Sequence, residues 1–469
     1  MEIWNGGSSL PKTHLHLLTV VSKKVTVAIM THHLFQAVLL AICTVAYFPA
    51  HAHTVQLKTT LNTSAILADQ KQLAYVKVSL RGIPIEQKEQ RIPTNIAIVL
   101  DRSGSMSGQK IEQAKEAAIT AIHHLNNQDI VAIVVYDTTV EVLVPATKAS
   151  DKEKIIAAIN KIQPRESTAL FAGVSKGAAE VRKFQDKQHV NRVILLSDGL
   201  ANVGRSSPEE LADLGASLIK EGISVTTLGL GLGYNEDLMT QLANKSDGNH
   251  AFVENATDLV RIFNQEFGDV LSVVAQEITV TIHCAEGIRP VRVLGREADI
   301  RGQQVTAKLN QLYGNQEKYV LLEVEVPATA AESQREIAQV AVAYLDMTTH
   351  RTEHLTHAAS LRFTANPRLV EESVDKDVMV AVTEQIALEK NKEAIKLRDV
   401  GKTKEAEELL RHNADYLEQE AKKYGSERLQ KQKDSNEKAA GSLASPESWS
   451  RERKKMRSDQ NAIENQQSW

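Results

Sequence analysis

The 469-residue sequence predicts an α/β protein: a doubly wound, mostly parallel sheet, flanked by a β-sandwich and followed by a C-terminal helical hairpin. Three observations carry this expectation. Between Asn95 and about Val270, apolar runs such as "IAIVLD", "DIVAIVVYD" and "NRVILLSDG" alternate with amphipathic helical stretches. Strands that are apolar at nearly every position belong to sheets covered on both faces by helices. On either side, residues 53–90 and 271–365 alternate apolar and polar side chains with the period of half-covered antiparallel strands. Beyond residue 366 the spacing lengthens to that of helices.

Residues 1–52 read as an export region. The run "LFQAVLLAICTVAYF" at 34–48 carries no charge and is followed by "PAHAH". It is long enough for a secretory apolar core but short of the ~20 residues that span a bilayer. Ala50 and Ala52 form an A-x-A cleavage site, so the signal peptide is expected at 30–52 with His53 as the mature terminus. Residues 1–29 are long for the segment ahead of such a core, which a translation start at Met30 rather than Met1 would explain; an uncleaved anchor is the other option. A lipid anchor on Cys43 is disfavoured, because Ile42 stands where a small residue is expected and the apolar run continues past the cysteine. Export to the periplasm, the cell envelope or the medium is the expectation.

Charge and cysteine content narrow the classes further. The formal net charge is −4, from 55 basic and 59 acidic side chains; removing residues 1–52 takes away three basic and one acidic group and leaves −6. A mildly acidic body is not a general nucleic-acid binder. Cys284 alone remains of two cysteines, which excludes an intrachain disulfide framework and a cysteine-rich metal site. A buried thiol is the expected role, with intermolecular pairing as the alternative.

The segments "HTVQLKTTLNTSAIL" and "QLAYVKVSLRGI" supply two or three strands, too few for a domain of their own. They are expected to join the sandwich of residues 271–365, which makes the α/β domain, 91–270, an insertion into a discontinuous β domain. Within that domain Ile111, Ala114, Ala118, Ile122 and Leu125 form one apolar helical stripe. Residues 366–424 are expected as two helices broken at Gly401, and 425–469 as a flexible polar tail whose "RERKK" is solvated.

Three polar clusters fall where strands end: Asp101, Ser103 and Ser105 in "DRSGSM", Thr168 in "RESTALFAG", and Asp198 in "VILLSDG". In an open α/β sheet the carboxyl ends of the strands form the usual ligand edge. Convergence there joins two carboxylates to three hydroxyls, an oxygen-only set suited to a hard divalent cation. Mg²⁺ takes an octahedral shell at ~2.0–2.1 Å, Ca²⁺ a looser one, and Mn²⁺ is a further option. If the hydroxyls bind directly and the acids partly through water, the cation stays electrophilic, with a position free for an Asp or Glu of a partner. Gly104 and Gly108 allow a tight path around the ion. The alternative is that Asp101 and Asp198 cap helices and the serines satisfy loop amides.

These residues resemble the von Willebrand factor type A domain and its metal-ion-dependent adhesion site. The later stretch "ISVTTLGLGLGYNEDLMTQLAN" is similar to the end of that domain in bacterial exported members related to the calcium-activated chloride channel and inter-alpha-trypsin inhibitor heavy-chain groupings. The resemblance covers about residues 95–270. It implies that Asp101, Ser103 and Ser105 belong to a first metal loop, Thr168 to a second and Asp198 to a third, with a ligand carboxylate completing the shell. The implied function is divalent-metal-dependent protein binding or adhesion. An envelope assembly factor working through its β or helical region is the alternative, and a metal-dependent hydrolase a third. "LGLGLG" lacks the G-x-G-x-x-G order, neither H-E-x-x-H nor a complete P-loop occurs, and the one G-x-S-x-G run, "GVSKG" at 173–177, falls inside a helical stretch rather than at a strand-to-helix elbow. The histidines of "HLTH" have strand-like surroundings that favour surface or packing roles. No enzyme activity is expected, and residues 53–469 hold no apolar span suited to a pore.

Overall fold

The computed structural model describes residues 54–85 and 91–467. The export region 1–52, with its signal peptide at 30–52, lies outside the described residues. Three strands come first: β1 (Val55–Leu61), β2 (Ala65–Leu67) and β3 (Gln72–Gly82). The α/β region then supplies β4 (Thr94–Asp101), β5 (Ile130–Tyr136), β6 (Val140–Lys148), β7 (Val190–Ser197), β8 (Ser224–Leu230) and β9 (His250–Val253). Its helices are α1 (Gln109–His124), α2 (Lys152–Asn160), α3 (Leu170–Arg182), α4 (Pro208–Lys220), α5 (Glu236–Lys245) and α6 (Leu259–Val270).

Every position of β4, β5, β7 and β8 is buried, which is why these strands read as sealed apolar runs. The sheet order is β6-β5-β4-β7-β8-β9. All neighbours pair in parallel except β6, which lies antiparallel on the β5 edge. Alternate residues of β4 feed opposite layers, as period-two backbone requires. Ile96, Ile98 and Leu100 pack with Ile111, Ala118 and Ile122 of α1 and with Phe263 of α6. Ala97 and Val99 pack with Val174 and Ala178 of α3 and Leu238 of α5. The chain leaves β4 towards β5 on one side and later returns to β7 on the other, so the carboxyl end of β4 is the switch point where such sheets bind ligands.

The following strands are β10 (Val273–Cys284), β11 (Arg289–Leu294), β12 (Asp299–Arg301), β13 (Gln304–Tyr313), β14 (Glu317–Val326), β15 (Ser333–Asp346) and β16 (Arg351–Thr364). They form two sheets with the early strands, ordered β1-β3-β14-β11 and β12-β13-β10-β15-β16-β2. In register, Val78 of β3 faces Thr59 of β1 and Val320 of β14, and Phe363 of β16 pairs in parallel with Ile66 of β2. Strands before and after the α/β region therefore share both sheets, and that region is inserted between them. Val76, Val78, Leu80, Val280, Ile282 and Val340 belong to the common core, which also encloses the free Cys284 thiol.

The C-terminal region departs from the expected hairpin over 366–424 and flexible tail over 425–469. A short α7 (Pro367–Glu372) leads into α8 (Lys376–Asp399) and α9 (Thr403–Tyr424), and two more helices follow, α10 (Glu427–Ser442) and α11 (Pro446–Asn465). Ser426 and Ser445 cap α10 and α11 by accepting from the Leu429 and Ser448 amides, and Pro446 sits in the first turn of α11. Sparse apolar side chains suffice to dock them: Ala439, Ala440, Leu443, Trp449 and Met456 bury against Ile395 of α8 and Leu410 of α9. α8 itself lies on the four-stranded sheet through Val378, Ala381 and Val382 against Tyr319 and Leu321. Among the described residues no helix is long and apolar enough to cross a membrane.

Candidate functional site

β4 ends on Asp101 and β7 on Ser197, two adjacent parallel strands that deliver their loops side by side. Asp101 is fully buried. One carboxylate oxygen accepts from the Ser103 amide at 2.8 Å and the other from the Ser197 hydroxyl at 2.6 Å. Ser103 Oγ and Ser105 Oγ stand 3.1 Å apart, and Ser105 donates to Asp198 Oδ1 at 2.6 Å. The first and third loops are thus joined directly.

Thr168 arrives from the second loop. Its amide donates to Asn202 Oδ1 at 2.8 Å, and its carbonyl accepts from the Asn202 and Val203 amides, so the second loop is sewn onto the third. Ser167, just before it, adopts φ +47°, a left-handed conformation that costs a side-chain-bearing residue ~1–2 kcal/mol. Gly199 marks the point of convergence. A Cβ there would lie 3.1 Å from Thr168 Oγ1, 3.4 Å from Ser105 Oγ and 3.8 Å from Ser103 Oγ. The missing side chain keeps the space between the three hydroxyls open.

The sequence-derived set is therefore gathered at one place. Ser103, Ser105, Thr168 and Asp198 surround Gly199, and Asp101 supports them from below through Ser103 and Ser197. Arg102, although it lies between ligand candidates, turns away: its Nε donates to Asp137 Oδ2 at 2.7 Å and it pairs with Glu141 at 3.0 Å. Its carbonyl accepts from the Arg165 amide at 2.6 Å, which fastens the first loop to the second. Gly108, with φ +76°, turns the chain into α1, whose first turn has no side-chain cap. Free amides at a helix start favour negative charge nearby.

Three contributors were not assigned from sequence: Lys110, which forms an ion pair with Asp198 Oδ2, Ser197 and Asn202. Ser197 and Asn202 flank Asp198 in "SDGLAN", where neither residue type singles itself out. Electrostatically, burial pushes the Asp101 carboxyl up to about 6; hydrogen bonds from Ser197 and Ser103 pull it down, and the charge of Asp198 adds to the rise. Among the described residues no three His, Cys, Asp or Glu side chains gather in a metal-binding group, so a cation at this edge depends on hydroxyl oxygens. Two carboxylates and three hydroxyls, without nitrogen or sulfur, fit a hard divalent ion.

Residues 95–265 match the model of the von Willebrand factor type A domain. An uncharacterized protein of Synechocystis is 26% identical over 313 residues, which cover 63% of this chain and 73% of that one. The uncharacterized protein YfbK of Escherichia coli is 28% identical over 42% of this chain and 35% of its own length. Inter-alpha-trypsin inhibitor heavy chain H3 of Rattus norvegicus is 29% identical over 36% of this chain, but the match spans only 19% of the heavy chain. Two solved structures share the architecture over most of this chain. The von Willebrand factor type A protein from Catenulispora acidiphila superposes with a TM-score of 0.66 at 15% identity, covering 84% of this chain and 92% of that one. The ArnB paralog VWA2 of Sulfolobus acidocaldarius superposes with a TM-score of 0.55 at 17% identity, covering 86% and 98%. At such identities the likeness is one of fold.

Proposed function

From the premise that residues 95–265 form a von Willebrand factor type A domain related to that of the inter-alpha-trypsin inhibitor heavy chains, we propose that this protein is a metal-dependent binding or adhesion module. Its ligand is an Asp or Glu side chain on a partner protein. Asp101, Ser103, Ser105, Thr168 and Asp198 would hold the cation, Mg²⁺ in the first instance and Mn²⁺ or Ca²⁺ as alternatives. With residues 30–52 read as an export signal, the encounter takes place in the periplasm, the envelope or the medium.

The observation that carries this reading is the ring of three hydroxyls and the Asp198 carboxylate around Gly199. A bound cation supplies an electrophile for an incoming carboxylate. The chain's own part is orientation and charge. Ser103, Ser105 and Thr168 offer neutral oxygens, and with the two acids acting partly through water much of the positive charge would be left for the partner. Asp101, locked by Ser197 and the Ser103 amide, fixes the floor of the site, and Lys110 holds Asp198 in place from the rim. The fold is that of binding and adhesion modules, and the specific role rests on these side chains rather than on the fold.

Calorimetric titration of the full chain with Mg²⁺ tests the first half, with Asp101→Ala as the control. Immobilised peptides that carry a single Asp, each paired with its Asn counterpart, test the second. Mg²⁺-dependent capture of the Asp peptides alone is expected, lost on chelation and in Asp101→Ala. A folded chain that takes up no Mg²⁺, or that captures Asp and Asn peptides equally, overturns the reading.

A further inference from the structure

The basic run expected to be solvated lies on α11 and is docked on the α/β region. Arg453 pairs with Glu236, with Asp237 at 2.6 Å and with Asp399 at 2.8 Å. Lys454 pairs with Glu236, donates to the Tyr234 carbonyl at 2.7 Å and stands 4.5 Å from the centre of the Tyr234 ring. Arg457 reaches Asp237 at 2.8 Å, and Arg451 and Lys455 both reach Glu254, at 2.9 and 3.0 Å. Five cations within about two turns of helix thus meet three carboxylates of the α/β region. Further along, Ser458 and Asn461 accept from the Phe252 and His250 amides, covering the open edge of β9.

The place of this contact gives it meaning. β8 ends at Leu230 and its parallel neighbour β9 at Val253, so residues 231–237 and Glu254 stand at the same edge of the sheet as Asp198. The 231–237 loop also touches the third loop of the candidate site. A Cβ on Gly233 would lie 2.7 Å from the Asp198 carbonyl, an approach that glycine alone permits. Lys454 grips the carbonyl of Tyr234, the next residue, and both Lys454 and the Tyr234 side chain are buried. A short rigid path therefore runs from Lys454 through Tyr234 and Gly233 to the backbone of Asp198. α11 has few apolar anchors, and those face α8 and α9, so its hold on the α/β region is polar: the ion pairs of residues 451–457, followed by neutral hydrogen bonds of Ser458, Asn461 and Asn465.

We infer that α11 is an electrostatic latch, and that Arg453 and Lys454 are positioning residues that press loop 231–237 against the Asp198 loop and so set how tightly the site grips its cation. The effect on affinity rests on the cation reading above; the effect on loop position does not. Two states carry the coupling, latch docked and latch released, and a cation that prefers the docked state is bound more weakly when the latch opens.

The test uses the full chain with Lys454→Met, the triple variant Arg453→Gln/Lys454→Met/Arg457→Gln, and the conservative Lys454→Arg. Amide hydrogen exchange without added cation reads loop position, and Mg²⁺ titration reads affinity. Opening of the latch is expected to speed exchange at 231–237 and at 198–202, to leave the sandwich amides protected and to weaken Mg²⁺ binding by about 5-fold or more, with Lys454→Arg close to the unaltered chain. Faster exchange at 231–237 without any change at 198–202, no change in either loop in the triple variant, or unaltered Mg²⁺ affinity in a chain with both loops loosened, each overturns the latch. An unaltered chain that takes no Mg²⁺ overturns the cation reading instead, and exchange at 198–202 then decides the latch alone.

Discussion

Ser105 donates its hydroxyl to the Asp198 carboxylate at 2.6 Å, across 93 residues of sequence. The bond joins the loops that leave two neighbouring strands, and it orients one carboxylate oxygen towards the hydroxyl ring. Ser105→Ala removes both a cation donor and this tie. Mg²⁺ titration is expected to show binding lost, while melting shows a stability change of only about 1 kcal/mol, the size of one hydrogen bond. Unchanged Mg²⁺ affinity in the variant would remove Ser105 from the donor set.

Gly199 is expected to tolerate no side chain. A Cβ would sit 3.1 Å from Thr168 Oγ1, tighter than ordinary contact, and the larger Gly199→Val would fill the space between the hydroxyls. Such a variant should fold, as judged by circular dichroism, and fail to bind Mg²⁺ or an Asp peptide. Binding at full strength would place the cation elsewhere.

Ser197 touches no site oxygen except that of Asp101, to which it donates at 2.6 Å. Groups that hold a ligand in place are often worth about 10- to 100-fold in metal affinity. Ser197→Ala is expected to weaken Mg²⁺ binding within that range without abolishing it, whereas Asp101→Ala abolishes it. Equal losses from both variants in the same titration would contradict this ordering.

Away from the site, burial pushes the Glu266 carboxyl up to about 8, and the nearby charge of Asp269 adds to the rise. The folded chain therefore binds a proton here that the unfolded chain releases between the ordinary carboxyl range and pH 8. Stability contributed below the ordinary range is lost as pH rises through 8. Glu266→Gln keeps an acceptor for the Asn249 amide, which donates at 2.9 Å in the parent chain, and removes the charge. Melting temperatures measured from pH 5 to 9 should fall less steeply in the variant; parallel curves would refute the assignment.

Arg192 is fully buried where the α/β region meets the sandwich. Its guanidinium donates to Thr226 Oγ1 at 2.7 Å in the former and to the Tyr313 hydroxyl at 2.8 Å in the latter. Arg192→Ala leaves these hydroxyls without their shared donor and opens a cavity between the two parts. A loss of about 2–5 kcal/mol is expected, from the unmet hydrogen bonds and the lost packing, together with separate melting of the two parts in calorimetry. A single transition at the parent temperature would show that Arg192 does not couple them.

The α/β core was legible because its information is local. "IAIVL" and "VILLS" are apolar at each position, and two-sided burial is the arrangement that satisfies such strands. The candidate site was legible for the same reason: Asp101 and Asp198 stand where strands end, and Thr168 stands in a loop bounded by a helix start, so a shared sheet edge is enough to gather them. Lys110, Ser197 and Asn202 were not legible, since a lysine, a serine and an asparagine in such loops have many ordinary uses and only their distances single them out.

By itself, then, the sequence determined which segments alternate as strands and helices, where the chain changes from one β region to the α/β region and back, and which oxygen-bearing side chains lie at strand ends. Tertiary structure alone decided the fate of residues 425–467. Their polar composition is that of a solvated tail, yet they form α10 and α11, because Ala439, Ala440, Leu443, Trp449 and Met456 find Ile395 and Leu410, and Arg453, Lys454 and Arg457 of α11 find Glu236 and Asp237 more than 200 residues earlier in the chain. Helix propensity and apolar period describe what a segment can do against water. They hold no record of distant carboxylates, and only the folded sheet brings those to the edge where the helix can be held.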